Sequence, residues 1–210
     1  LLLSETLNFM SPTATELEAA GLLSNYARVS DVLREAGLLP DFSRIPPAIL
    51  ERKRAIGTAT HKALELLVLG RLDRSTIDPA VRLFFEAGER WLLERKPFVV
   101  ACEETVCDRG MLIKGTLDLR VRLDGEEEII DWKTSNEIST GAKVQICGYV
   151  DLQGSGCGTR IVHLKKDGTY DDGLNIQPLA EDHAEWLRAS ESYVYKRERK
   201  LLRTKSEEAA

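Results

Sequence analysis

The pattern of apolar and polar positions changes at Pro97. Before it, apolar residues recur at helical spacing; after it, they alternate or form short β-branched runs bounded by turn residues. Ser30 is placed to cap a short helix running to Gly37, and Pro46-Pro47 opens a longer one ending near Gly70. Gly57 interrupts that helix and marks either a break or a close approach. Asp78-Pro79 forms an N-cap and first-turn pair for a third helix to about Arg95. Its stripe of Val81, Phe84, Phe85, Gly88, Trp91 and Leu92 belongs to the core.

Phe98–Cys107 reads as a strand turned by Asp108-Arg109-Gly110. From Met111 to Leu123 the chain alternates: Met111, Ile113, Leu117, Leu119, Val121 and Leu123 share one face with Gly115. Lys114, Thr116, Asp118, Arg120 and Arg122 take the other. Asp124-Gly125 is a two-residue hairpin signal, and Glu126–Thr134 returns. A helix over Ala142–Leu152, a strand over Arg160–Leu164 and a long helix from Glu181 to about Leu202 complete the reading. That order predicts one α/β domain with a mixed sheet flanked by helices.

The hairpin fixes a register. Leu123 pairs with Glu126, so Asp118 stands opposite Asp131 and Thr116 opposite Lys133. Opposed side chains lie about 4.5–5.5 Å apart at Cβ, and two carboxylates there repel. A divalent cation with a preference for oxygen ligands, Mg2+ or Mn2+, removes the conflict. Lys133 follows Asp131 at strand period and points the same way. An acidic residue two before a lysine also occurs at Glu51, Glu94 and Glu198. Those three fall in charged helical segments, where a salt-bridged face explains them. Only Asp131-Trp132-Lys133 faces another carboxylate across a tight hairpin.

Composition narrows the field. The net charge of −5 argues mildly against a non-specific nucleic-acid coat protein but does not exclude a nuclease. Basic residues cluster at Arg52-Lys53-Arg54 and again from Lys196 to Lys205. Cys102, Cys107, Cys147 and Cys157 lack zinc-site spacing and read as unligated thiols. No apolar run reaches the roughly eighteen residues a membrane span needs, and Leu1-Leu2-Leu3 is too short for a signal segment. The default reading is a soluble intracellular protein.

Gly115-Thr116-Leu117-Asp118, Ile129-Ile130-Asp131-Trp132-Lys133-Thr134-Ser135 and Gln145-Ile146-Cys147-Gly148-Tyr149, in that order, resemble the PD-(D/E)xK nuclease superfamily. The RecB-like exonuclease branch, of phage and bacterial type, is the most similar, and His61 on the upstream helix matches its histidine. Leu117 replaces the proline of the family name. No cysteine precedes His61, which argues against the iron–sulfur members.

The resemblance, over residues 45 to 152, implies a restriction-endonuclease-like core. Residues 46–165 would be the catalytic core, 1–45 an N-terminal helical and loop extension, and 181–202 a C-terminal helix. It implies that Asp118 and Asp131 bind one or two Mg2+ or Mn2+ ions, that His61 adds a ligand, and that Lys133 positions water or stabilises charge. A further acidic ligand is expected from Glu103 or Glu104. Family spacing favours Glu103, whereas a three-residue loop at Asp108-Arg109-Gly110 puts Glu104 on the face of Asp118. Gln145 and Tyr149, one helical turn apart, would support the site or touch the DNA backbone. Arg52, Arg54, Thr134 and Ser135 are further expected DNA contacts. The implied activity is a metal-dependent deoxyribonuclease, foremost an exonuclease of recombination, repair or phage DNA metabolism. A structure-selective or site-specific endonuclease and a catalytically silent nucleic-acid-binding module are the alternatives. A recombination or single-strand-binding partner protein, a homo-oligomer and the cytoplasm of a bacterial or phage-infected cell complete what it implies.

Overall fold

A computed structural model describes residues 16–17, 21–154 and 156–208, with 202–208 by backbone alone. Leu1–Leu3 and the side chains of Arg203 and Lys205 lie outside that description. The elements run β1 (Ala27–Arg28), α1 (Val29–Glu35), α2 (Pro47–Val68), α3 (Pro79–Arg95), β2 (Phe98–Asp108), β3 (Ile113–Leu123) and β4 (Glu126–Lys133). They continue with α4 (Thr140–Gln153), β5 (Gly158–Leu164), β6 (Tyr170–Asp171) and α5 (Ala180–Glu208).

Local chemistry explains most of the boundaries. Pro47 opens α2, and Asp78 caps α3 by accepting the Ala80 N–H at 2.7 Å. Ser139 caps α4 by accepting from Ala142 N at 3.2 Å. Ser30 does not cap α1: Arg28 is the N-cap residue, and Asp31 reaches back to its backbone N–H at 3.0 Å. Gly57 does not break α2. It is a close approach, since a Cβ there would lie 3.3 Å from Thr134 Oγ1. Asp124 and Gly125 both have positive φ, 51° and 93°, as a two-residue hairpin requires.

The strands form one open mixed sheet in the order β1-β3-β4-β5-β6, with β2 also paired to β3. β2, β3 and β4 are antiparallel neighbours, whereas β1–β3 and β4–β5 are parallel. Helices cover both faces, as expected of a mixed α/β sheet. One core gathers α1, α4 and α5 residues such as Val32, Ile146 and Trp186 over Ile113, Leu117, Ile129 and Ile161. The other gathers α2 and α3 residues such as Leu64, Phe85 and Trp91 over Leu119, Val121, Ile130, Trp132 and Val162. Trp91 meets Trp132 edge to face, with centroids 5.3 Å apart.

Two sequence expectations are corrected. The apolar residues of β3 do not share one face: Ile113 and Leu117 enter the first core, and Leu119, Val121 and Leu123 the second. Opposite this switch, Glu103 of β2 has a φ of 51°, and the β2–β3 register slips by one between Val99 and Ala101. The left-handed Glu103 stands across from Asp118, between the two residues where the face of β3 changes. Residues 27–35 are also not an appendage. β1 joins the sheet edge, and Val29, Val32 and Leu33 are buried in the first core.

Candidate active site

The hairpin register follows the sequence expectation from Leu123↔Glu126 to Leu119↔Ile130, and pairing stops there. β1 pairs with β3 only at Ile113 and Lys114. Between these partners, Gly115–Asp118 has no strand on that edge. Asp118 and Asp131 flank the opening. Instead of a ladder bond, Asp118 Oδ2 accepts the Trp132 N–H at 2.8 Å.

Six side chains converge from four elements, α2, β3, β4 and α4. The ring nitrogen Nδ1 of His61, on α2, lies 3.0 Å from Asp118 Oδ1. Lys133 Nζ lies 2.7 Å from Asp131 Oδ2 and donates to Gln145 Oε1 at 3.0 Å. Gln145 Nε2 donates in turn to the Tyr149 hydroxyl at 2.7 Å. Asp131 is 3 % exposed, and its Oδ2 accepts no hydrogen bond of good geometry despite the short distance to the lysine. The charge of the ammonium is its chief compensation.

Burial raises the proton affinity of both carboxyls. At Asp118, the charge and hydrogen bond of His61, Lys133 and the Trp132 N–H outweigh burial and hold the carboxyl below the usual range. At Asp131 burial prevails over Lys133, with Asp118 adding to it, and the carboxyl is pushed up. Burial works against a charged His61, yet Asp118 and then Asp131 raise its pKa. Tyr149 is buried and its hydroxyl is pushed well above the ordinary phenol value, by burial first and then by Asp131 and Asp118.

The loop after β2 settles the geometry of the two glutamates. Asp108 pairs with Ile113, so the loop spans four residues and not three. Cys102↔Leu119 and Glu104↔Leu117 then set Glu103 across from Asp118. Glu104 is engaged elsewhere, accepting from Arg120 Nε at 2.8 Å and Nη2 at 3.0 Å. Glu103 is open to solvent on one side, and partial desolvation of its carboxyl, then the charge of Asp118, push its pKa up. Tyr149 packs behind the site: a Cβ on Gly115 would stand 2.7 Å from its ring. It therefore supports Gln145, and its buried hydroxyl is not presented to a polymer.

A cleft of about 1130 Å3 opens over these groups. His61, Lys133, Gln145, Thr134 and Ser135 line it, and Arg52 and Arg54 stand on its α2 wall. The sequence gives no sign of three further features. His163, in register with Lys133, meets the Ser135 carbonyl at 2.6 Å and so tethers the loop after β4. Lys166 and Phe42 also reach the cleft from distant segments. No hairpin dictates the parallel β4–β5 register, so no spacing rule finds His163.

Among the described residues, no group of three or more His, Cys, Asp and Glu is placed to hold a metal ion. The set still suits a hard cation. Magnesium keeps several waters and takes one or two protein carboxylates, not a full protein cage. His61 Nδ1 and Asp118 Oδ1 lie at hydrogen-bond distance, 3.0 Å, and would be the nearest two donors to such an ion. The unsatisfied Asp131 Oδ2 is a further acceptor beside them.

No family model matches the sequence, and no curated protein matches it. Among solved structures the chain is similar to the crystal structure of SSO0001, at 17 % identity over 86 % of this chain and 87 % of that one, with a TM-score of 0.36. It is also similar to the crystal structure of LHK-Exo in complex with dAMP, at 16 % identity over 90 % of this chain and 99 % of that one, with a TM-score of 0.41. Likeness at this distance carries no argument about activity. Among the described residues, no helix is long and apolar enough to cross a membrane.

Proposed function

We propose that the chain is a metal-dependent nuclease that hydrolyses DNA phosphodiester bonds, acting as an exonuclease in recombination, repair or phage DNA metabolism. The observation that carries this reading is the buried Asp131–Lys133 pair beside the Asp118–His61 pair, with Lys133 and His61 lining a large cleft that has cations on its wall. A structural ion pair has no need of a like charge beside it, nor of an unsatisfied carboxylate oxygen.

Asp118 and Asp131, with His61 and Glu103, would hold Mg2+ or Mn2+. When bound, such an ion neutralises phosphate charge and makes water a better nucleophile. The remaining work falls to the protein. Lys133 is fixed between Asp131 and Gln145, so its charge is preorganised where negative charge develops on the phosphate. Tyr149 holds Gln145, and Gln145 holds Lys133. Arg52, Arg54, Thr134 and Ser135 would bind the DNA backbone along the cleft.

Linear and closed circular DNA incubated with Mg2+ or Mn2+ test the proposal, with the parent compared with Lys133→Ala. Degradation of linear DNA alone, lost in the variant, supports an exonuclease. Cutting of closed circles moves the assignment to an endonuclease. Binding without cleavage under every metal condition overturns the enzyme.

A further inference from the structure

We infer that the cleft receives an unpaired DNA strand, with bases on its apolar wall and phosphates on its cationic rim. The substrate is then single-stranded at the point of hydrolysis. This inference rests on the nuclease reading above and names the form of its substrate.

The cleft has two kinds of lining. Phe42, Ile49 and Leu83 are 40 %, 50 % and 44 % exposed, and all three line it together with Lys133. Large apolar side chains gathered in one cleft mark a surface built to be covered. Arg52, Arg54 and Lys166 line the same cleft and make no ion pair with a described residue. Elsewhere the arginines of β3 and β5 are neutralised: Arg120 and Arg122 by Glu127, and Arg160 by Glu128. In a chain of net charge −5, Arg52, Lys53, Arg54 and Lys166, set against one lining carboxylate, Glu137, attract an anionic polymer.

The combination separates a single strand from a duplex. A duplex hides its bases in the stack and presents sugars and phosphates outward. Against such a surface, an apolar wall gains nothing and strips water from phosphate. An unpaired strand offers base faces to stack on an aromatic ring or aliphatic chain while its backbone follows the cations. The volume of about 1130 Å3 exceeds the range of about 300–1,000 Å3 that compact ligands fill, so the cleft has room for a polymer segment.

The wall is held in place before any strand arrives. Ser43 N–H donates to Asp41 Oδ1 at 2.8 Å, and Ile45 N–H donates to the Phe42 carbonyl at 2.9 Å. The preceding chain lies tight on α4, where a Cβ on Gly141 would stand 2.4 Å from the Leu38 carbonyl oxygen. Binding therefore orders little of the protein itself.

Fluorescence anisotropy in EDTA tests this, using labelled oligothymidylate, an abasic oligomer and a blunt duplex, each of about twelve units, within the span one such site covers. Oligothymidylate is expected to bind at least about tenfold more tightly than the duplex. Phe42→Ala is expected to weaken oligothymidylate about tenfold and leave the abasic oligomer unchanged, because only a base can stack on the ring. Ile49→Ala is the second variant, on α2 and outside the Phe42 loop. Arg52→Ala is expected to weaken both single strands alike and to reduce the salt slope. The inference falls if the duplex binds as tightly as the single strand, or if Phe42→Ala weakens the abasic oligomer equally. Tighter binding of oligouridylate than of oligothymidylate overturns DNA as the polymer. Cleavage of linear duplex without single-strand preference sinks this inference and leaves the nuclease standing. Single-strand preference without cleavage in Mg2+ or Mn2+ does the reverse.

Discussion

Gly115→Ala probes the fit behind Lys133. The added Cβ would lie 2.7 and 2.8 Å from two carbons of the Tyr149 ring and 3.4 Å from Val29 Cγ2. Carbon atoms rest at about 3.5–4.0 Å, so the ring must retreat by about 0.7–1.3 Å. It has little room, being buried in the core with its hydroxyl bonded to Gln145. Overpacking of this kind costs about 1–3 kcal/mol, and the lost hydrogen bond adds about 1 kcal/mol. The expected destabilisation is about 2–4 kcal/mol. With a urea slope of about 3 kcal/mol/M, the unfolding midpoint falls by about 0.7–1.3 M at unchanged slope. In a Tyr149→Ala background, the same methyl enters vacated space and its cost falls to near zero. The pair should therefore couple by about 2 kcal/mol, within the range for residues in contact. Because Tyr149 holds Gln145 and Gln145 holds Lys133, cleavage in Mg2+ should also slow under conditions where the variant is fully folded. A cost below about 0.5 kcal/mol, or an equal cost in both backgrounds, refutes the reasoning.

Two further perturbations follow from the same geometry. Asp131→Asn removes a carboxyl whose folded pKa is raised. Such a group stabilises fully below the ordinary aspartate value, and its contribution is lost as pH rises through the raised one. Urea midpoints of the metal-free parent should fall relative to the variant across that interval, and identical pH profiles would contradict the assignment. Gly141→Ala places a Cβ against the backbone carbonyl of Leu38, whereas Gly88→Ala meets only the flexible ends of Leu64 at 2.7 Å. Urea unfolding should show Gly141→Ala to be the costlier of the two by about 1 kcal/mol or more, and the reverse order would show that the Leu38 segment is free to move.

What was legible in the sequence is what local rules determine. Asp124-Gly125 dictates a hairpin register by turn chemistry alone, and that register holds as far as Leu119↔Ile130. Asp78-Pro79 and Pro47 mark helix starts because their side chains satisfy, or lack, the first backbone donors. Other features depend on residues distant in sequence. The parallel β4–β5 register brings His163 beside Lys133, and nothing in either segment encodes it. Val29, Val32 and Leu33 read as a short helix in an extension because their partners, Ile146 and Trp186, come more than 100 residues later. The Phe42 wall was hidden for the same reason: its meaning lies in the cleft it faces.

The least legible feature explains the site best. Continued one step further, the hairpin ladder sets Asp118 and Asp131 face to face, where like charges destabilise the pair. The strands part instead, and each carboxylate gains its own compensation. Asp118 takes the Trp132 N–H and His61 from α2, and Asp131 takes Lys133, which α4 steadies through Gln145. The change of face in β3 between Leu117 and Leu119 falls where the sheet opens and helices of both faces reach its edge. Relief is incomplete: Asp131 Oδ2 stays buried without a hydrogen bond of good geometry, and its carboxyl stays raised. A fold selected for stability alone would place asparagine or an apolar residue there. The retained charge conflict behind His61 and Lys133, which line a cationic cleft, is the strongest physical reason to read the opening as catalytic.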